Sequence, residues 1–136
     1  MTRYTIDPAM LVRLAQEEVA LRSTTYLVAP HTLRSEALAL LLERVRDGRL
    51  SEGSALTLHE RMTSYRIRLL GDRVTRRRAW SLALAHGWDD LRDAEYIAVT
   101  QLQADALVTS DPRLAARAAQ WVEVRDYRAL RATSAS

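Results

Sequence analysis

Four acidic residues of this 136-residue chain, Asp7, Glu36, Asp93 and Asp111, have positions that suit the binding of a divalent metal ion. Asp7 and Asp111 each follow a β-prone run and precede a proline that begins a predicted helix. The carboxyl ends of parallel strands are where open α/β sheets bind ligands. If the strand order is the common 3-2-1-4-5, the first and fourth strands are neighbours ~5 Å apart. Asp7 and Asp111 then face one crevice.

Glu36 and Asp93 are predicted to lie on helices with their side chains facing inward. Glu36 lies one turn from Leu33 and from Leu40, on the apolar face of its helix. Asp93 shares a face with Ile97, which directs it toward the sheet. Because an ionised carboxylate in such a place is costly unless a cation or hydrogen-bond donors compensate it, both residues are candidates for a site.

Four carboxylates that meet in one crevice imply a specific chemistry. At ~5 Å and an effective dielectric near 20, each pair repels by roughly 3 kcal/mol. A hard divalent cation offsets that repulsion, and ligation by oxygen alone favours Mg²⁺ or Mn²⁺ over zinc. Magnesium held by carboxylates and water is typical of phosphoryl-transfer sites. Spacing along the sequence does not by itself show that the acids converge.

Each acid also has a purely structural interpretation, and the sequence leaves these alternatives open. Asp followed by Pro is a favourable start for a helix, so Asp7 and Asp111 fit the role of N-caps. Glu36 fits the edge of an apolar stripe, with its carboxylate in water. Asp93 ends a segment, Asp90-Leu91-Arg92-Asp93, that resembles a capping box.

The elements that must position these acids alternate between strand and helix. Predicted strands cover 4–6, 26–29, 67–70, 106–109 and 121–124. Predicted helices cover 10–19, 32–46, 51–64, 73–85, 91–103 and 111–119. The alternation predicts an α/β fold with three layers, in which a parallel sheet of about five strands lies between helices. We expect one domain over 1–130 and a disordered tail over 131–136.

Composition narrows the possible classes of protein. A hydrophobic fraction of 48% and a charged fraction of 27% are typical of a globular domain. Cysteine is absent, which excludes disulfides and thiolate zinc sites. No apolar run approaches the ~20 residues of a membrane span, and the N-terminus is too polar for a signal peptide. We therefore expect a cytoplasmic protein that does not bind a membrane.

All 20 basic residues are arginine, and lysine is absent. The lack of lysine excludes a P-loop, and it excludes receiver-type phosphoacceptor domains and HAD-type phosphatases, which also depend on a lysine. Guanidinium groups bind phosphates in bidentate fashion, so an arginine-rich surface suits a polyanionic substrate. The alternative is that the arginine content reflects a GC-rich genome.

At these residues the chain resembles the PIN-domain ribonucleases, and among them the VapC-type toxins of VapBC toxin–antitoxin systems, over nearly its whole length. The matching segments are Tyr4-Thr5-Ile6-Asp7, Val28-Ala29-Pro30 followed by Glu36, Asp93-Ala94-Glu95-Tyr96-Ile97-Ala98 and Leu107-Val108-Thr109-Ser110-Asp111. The resemblance implies a PIN-like fold. It also implies that Asp7, Glu36, Asp93 and Asp111 are catalytic residues that bind one or two Mg²⁺ or Mn²⁺ ions. Thr109 matches a position whose hydroxyl supports the site.

The resemblance further implies an endoribonuclease toxin that hydrolyses RNA phosphodiester bonds, with a structured RNA such as tRNA or rRNA as substrate. It implies a homodimer and a cognate VapB-type antitoxin that obstructs the site. One feature departs from the family, because Pro8 and Ala9 stand where a Ser or Thr is common. A catalytically weak PIN module that binds RNA or protein is therefore the alternative. A flap-endonuclease relative is disfavoured, because the chain lacks the extra helices of such enzymes.

A cluster of arginines, Arg73, Arg76, Arg77 and Arg78, begins one of the predicted helices. It is a candidate track for the RNA backbone. The alternative is a solvated helix face. A helix N-terminus is unfavourable for cations, which favours a reason other than stability for their position.

Overall fold

The computed structural model describes residues 1–132, which form a five-stranded parallel sheet flanked by helices in a three-layer α/β/α arrangement. The strands are β1 (Thr2–Ile6), β2 (Thr25–Pro30), β3 (Ile67–Leu70), β4 (Ala106–Val108) and β5 (Val124–Arg125). The helices are α1 (Pro8–Gln16), α2 (Leu33–Arg46), α3 (Glu52–Ser64), α4 (Arg73–His86), α5 (Arg92–Gln103), α6 (Pro112–Ala118) and α7 (Arg128–Ala132). The predicted fold class is confirmed.

The sheet has the order β3-β2-β1-β4-β5, with β1 at its centre. Every pairing is parallel, and β1 aligns with β4 through Thr5 opposite Leu107 and Ile6 opposite Val108. All three residues of β4 are buried, as expected for a parallel strand covered on both faces. The predicted order is therefore confirmed, and the carboxyl ends of β1 and β4 lie side by side.

Helix α5 is the element that joins the sheet to the candidate site. Most of its residues are buried, and it contacts β1, β2 and β4. Its partner α4 begins after Asp72, whose side chain accepts a hydrogen bond from the Thr75 amide. Helix α4 ends at Gly87, which has a φ of 64° and so adopts the left-handed conformation that glycine favours at helix ends. The following short loop returns the chain to the start of α5.

Two predictions at the C-terminal end are wrong in part. The last strand is Val124–Arg125, later than the predicted 121–124, because the Trp121 and Val122 amides both donate to the Ala118 carbonyl and extend the turn after α6. The disordered tail was predicted from residue 131, but α7 continues to Ala132, and Arg131 pairs with Glu17 at 2.6 Å. Residues 133–136 of that predicted tail lie outside the described residues. Within residues 1–132, every helix is too short or too polar to cross a membrane.

Candidate active site

The four acids predicted from the sequence line a single cavity of about 330 Å³. Asp7 follows β1 and Asp111 follows β4, so the adjacent ends of these strands supply two of the carboxylates. Glu36 comes from α2, and Asp93 comes from the first turn of α5. The fold therefore brings together residues that are far apart in the sequence.

Asp7 is buried, with 4% of its surface exposed. Its Oδ1 accepts a hydrogen bond from the Met10 amide at 2.9 Å, which makes it the N-cap of α1. Its Oδ2 accepts a hydrogen bond from the Thr109 hydroxyl at 2.5 Å. Burial raises the pKa of Asp7 above its usual value and nearby Asp111 raises it further, whereas the bonds from Thr109 and Met10 lower it. A positive charge in the cavity would stabilise the ionised carboxylate.

Asp111 is the N-cap of α6, and Thr109 connects it to Asp7. The Asp111 side chain accepts hydrogen bonds at Oδ1 from the Arg113 amide at 2.9 Å and the Leu114 amide at 3.4 Å. The Asp111 amide donates to the Thr109 hydroxyl oxygen at 3.0 Å. The capping interpretation is thus confirmed for Asp7 and Asp111, but capping uses only one oxygen of each carboxylate.

Glu36 is held by hydrogen-bond donors in a half-buried position. Its Oε1 accepts hydrogen bonds from the Thr32 hydroxyl at 2.7 Å and from the Tyr96 hydroxyl at 3.2 Å. Its Oε2 forms an ion pair with Arg92 at 3.3 Å. Burial, and then the charge of Glu36, raise the pKa of Tyr96, so Tyr96 remains a neutral donor. The side chain of Glu36 keeps 22% of its surface exposed, so its carboxylate is held by protein donors and also reaches water.

Asp93 is buried, with 3% of its surface exposed, and its side chain pairs with arginines of α6. Its Oδ2 pairs with Arg117 at 3.0 Å and with Arg113 at 3.3 Å. The guanidinium of Arg117 also lies over the ring of Trp88, 4.7 Å from its centroid. The predicted capping box does not form. The N-cap of α5 is Leu91, whose side chain makes no hydrogen bond to the helix.

The donor chemistry of the cavity fits a hard divalent cation, although the acids are not a preformed ligand set. Within residues 1–132, no three acidic or histidine side chains lie close enough to enclose a metal ion as they stand. Yet the acids lining the cavity offer carboxylate oxygens, the ligands that Mg²⁺ and Mn²⁺ prefer. Among the hydrogen bonds of the described residues, none engages Oδ1 of Asp93 or Oδ2 of Asp111. These oxygens are therefore available for ligation.

Several residues of the site were not identified from the sequence. Arg92 and Arg113 line the cavity together with Tyr96 and a fifth acid, Glu43. A signal for the arginines did exist, because Arg92 directly precedes Asp93 and Arg113 lies two residues after Asp111. Pro8 and Ala9, which stand where the resemblance leads one to expect a hydroxyl, also line the cavity.

The four arginines of α4 lie apart from this cavity. All four are exposed, and none of them lines it. Arg76 donates to the Gly71 carbonyl at 2.9 Å, and Arg78 donates to the Gln101 side chain at 3.1 Å. Arg73 and Arg77 flank shallow surface depressions, one of which Trp80 also lines. Their contact with an RNA backbone stays a prediction.

Comparison with known proteins supports the same fold. Neither a protein-family model nor a curated protein matches the chain. Among solved structures, the chain is similar to the crystal structure of PAE2754 from Pyrobaculum aerophilum, with 26% sequence identity and a TM-score of 0.73. The match covers 95% of this chain and 92% of that chain. The two proteins therefore share one fold over almost their entire lengths. The class of molecule defined here is a three-layer α/β/α protein with an acidic cavity at the carboxyl ends of its central strands.

Proposed function

We propose that this chain is a Mg²⁺- or Mn²⁺-dependent endoribonuclease of the PIN-domain type, similar to VapC toxins. The observation that supports this most is the shared cavity of Asp7, Glu36, Asp93 and Asp111, which come from four separate segments. Isolated N-caps or surface acids have no reason to line the same cavity. The ends of β1 and β4 are also where parallel sheets place their ligands.

The four acids would hold the cation, and the described contacts orient their carboxylates before it arrives. Thr109 and Met10 donate hydrogen bonds to the two oxygens of Asp7. Tyr96 of α5 donates a hydrogen bond to Glu36 of α2. When bound, the cation supplies an activated water and stabilises the developing charge on an RNA phosphodiester. The ionised carboxylates repel the negative charge of a phosphate, so RNA approaches them only when positive charge compensates theirs.

The remaining parts of the proposal rest on the family resemblance. They are a structured RNA substrate such as tRNA or rRNA, a homodimer, a cognate VapB-type antitoxin and a cytoplasmic location. The alternative is a catalytically weak PIN module that binds RNA or protein. Two observations favour this alternative: arginines already pair with Glu36 and Asp93, and Pro8 and Ala9 bring no hydroxyl to the cavity.

Cleavage assays on the purified chain test the proposal. Total RNA and single-stranded DNA are incubated with the protein in Mn²⁺, in Mg²⁺ or in EDTA. We expect metal-dependent cleavage of RNA that is abolished in Asp7→Asn and in Asp93→Asn. Asp47→Asn is the matched control, because Asp47 is exposed and lies outside the cavity. Circular dichroism must show that all three variants are folded.

The possible outcomes separate the alternatives. Full cleavage by either purified cavity variant contradicts the proposal. RNA cleavage by the wild type that is equal in EDTA contradicts the role of the metal. Preferential cleavage of DNA favours a DNA-directed nuclease. Calorimetric titration with Mn²⁺ identifies the non-catalytic module, for which neither binding of the ion nor cleavage is expected.

A further inference from the structure

The three arginines that contact the acids differ in how firmly they are held. Arg117 is 31% exposed, approaches Asp93 to 3.0 Å and stacks on Trp88, so it has two partners. Arg92 and Arg113 are 62% and 61% exposed, and each forms one ion pair at 3.3 Å. Water screens the exposed guanidinium groups of both pairs, although the Asp93 side chain is only 4% exposed and that of Glu36 is 22% exposed. Arg117 therefore belongs to the packed structure, whereas Arg92 and Arg113 are loosely held at the mouth of the cavity.

The electrostatics of their own helices do not explain the positions of Arg92 and Arg113. Arg92 is the first residue of α5, and Arg113 is the second residue of α6. The amino-terminal end of a helix carries partial positive charge, so a cationic side chain there is disfavoured. The two helices nevertheless present one arginine each to the same cavity. A ligand with negative charge outside the protein is a physical reason for this arrangement.

We propose that Arg92 and Arg113 are the phosphate-binding residues of this site and contact the RNA strand where it crosses the acidic cavity. This inference rests on the proposed function, and it places the RNA backbone at the cavity mouth rather than on the α4 arginines. An exposed guanidinium readily exchanges a carboxylate for a phosphate. The carboxylate is planar and the phosphate is tetrahedral, but each is an oxyanion that can accept two N–H donors. Arg92 pairs with Glu36 and Arg113 pairs with Asp93, so each arginine can make its own contact with a phosphate.

RNA binding without metal provides a direct test, because cleavage does not occur in EDTA under the proposed function. Fluorescence anisotropy of a short fluorescein-labelled single-stranded RNA is measured over a series of KCl concentrations. The variants are Arg92→Gln/Arg113→Gln and, for the α4 surface, Arg73→Gln/Arg77→Gln. The matched control is Arg49→Gln/Arg128→Gln, in which both arginines are exposed and paired with an acid two residues away. Thermal unfolding confirms that each variant is folded.

We expect the Arg92→Gln/Arg113→Gln variant to lose two phosphate contacts. For single-stranded nucleic acid each contact contributes ~0.7 to the slope of log affinity against log salt, so the slope falls by ~1.4. The same slopes correspond to roughly 5-fold per contact at ~0.1 M salt, and hence to about 25-fold weaker binding. Replacement of both residues by lysine should restore the slope, because lysine keeps the charge, but only part of the affinity, because lysine lacks the bidentate geometry.

The outcomes distinguish this inference from the proposed function. Unchanged binding and slope in Arg92→Gln/Arg113→Gln overturn the inference, even if the wild type cleaves RNA and the proposed function stands. A loss confined to Arg73→Gln/Arg77→Gln overturns it in favour of the α4 surface. No RNA binding by the wild type also overturns it. If the expected loss occurs but no cleavage is found with Mn²⁺, the inference holds and the proposed nuclease activity fails.

Discussion

Replacement of Thr109 by valine tests how the site holds its most buried acid. The Thr109 hydroxyl donates to Oδ2 of Asp7 and accepts from the Asp111 amide. Valine has nearly the same shape but neither polar function, so the change removes both bonds without opening a cavity. A hydrogen bond to a charged group contributes ~1.5–3 kcal/mol, and an amide left without a partner costs ~1 kcal/mol when it is partly exposed. We expect the free energy of unfolding at neutral pH to fall by about 2.5–4 kcal/mol.

The same variant should change the pH dependence of activity under the proposed function. The bond from Thr109 lowers the pKa of Asp7, in opposition to burial. Without the hydroxyl, the pKa of Asp7 rises further, so ionisation of the carboxylate requires a higher pH. The acidic limb of the pH–rate profile for RNA cleavage with Mn²⁺ should therefore move to higher pH, while the rate on the plateau changes less.

Urea unfolding and the pH–rate profile are measured on the wild type, Thr109→Val and Thr109→Ser. Serine keeps the hydroxyl and loses one methyl, so it serves as the control that separates hydrogen bonding from packing. It should retain the position of the acidic limb. If the limb stays in place in Thr109→Val, or moves equally in Thr109→Ser, then the bond to Asp7 does not set its ionisation and this reasoning is refuted.

Two further predictions concern the charges of the site. Burial raises the pKa of Asp7 above its usual value of 3.8, so the stability from its protonated form is complete below that value and is lost as pH rises through the raised pKa. Asp7→Asn should therefore become more stable relative to the wild type as pH rises above ~4 in EDTA, and urea unfolding that shows no such trend would contradict it. Arg117→Gln removes one partner from buried Asp93 and should lower the free energy of unfolding by about 3 kcal/mol. This is the lower end of the range for a broken buried ion pair, because Arg113 remains as a partner. Arg49→Gln, at an exposed ion pair, should change stability by less than ~0.5 kcal/mol in the same assay.

The fold could be predicted because its signals are local. Strand β3 was predicted with its observed bounds, since Gly71 follows a β-prone run. The starts of α1 and α6 were marked by Asp-Pro pairs, in which the capping bond and the fixed φ of proline act within a few residues. The last strand was misplaced because Trp121 and Val122 have high β propensity, yet their amides complete the turn after α6. β propensity alone does not show where the backbone hydrogen bonds of a preceding helix and its final turn end.

The acids of the site could be predicted from the sequence, but most of their partners could not. Once β1 and β4 were assumed to be neighbours, Asp7 and Asp111 had to meet, and the structure places them so. The partners of Glu36 and Asp93 could not be inferred, because they depend on how α2, α5 and α6 are oriented about the sheet. The nearness of Arg92 to Asp93 and of Arg113 to Asp111 in the sequence was a signal, but their long side chains have many rotamers, so it did not determine which acids they contact.

The balance of charge at the cavity leads to a prediction for the number of metal ions. Among the described residues, the cavity is lined by the four predicted acids and Glu43, and three arginines pair with them. If every acid is ionised, two negative charges remain, which equals the charge of one divalent cation. A second ion would leave the cavity positive unless an RNA phosphate enters with it. Calorimetry with Mn²⁺ should therefore show one ion bound to the free protein and a second only when a short single-stranded DNA is present as an analogue of the RNA strand. Two equal sites in the free protein would contradict this prediction. The cavity does not contain enough negative charge to offset the repulsion between two divalent ions.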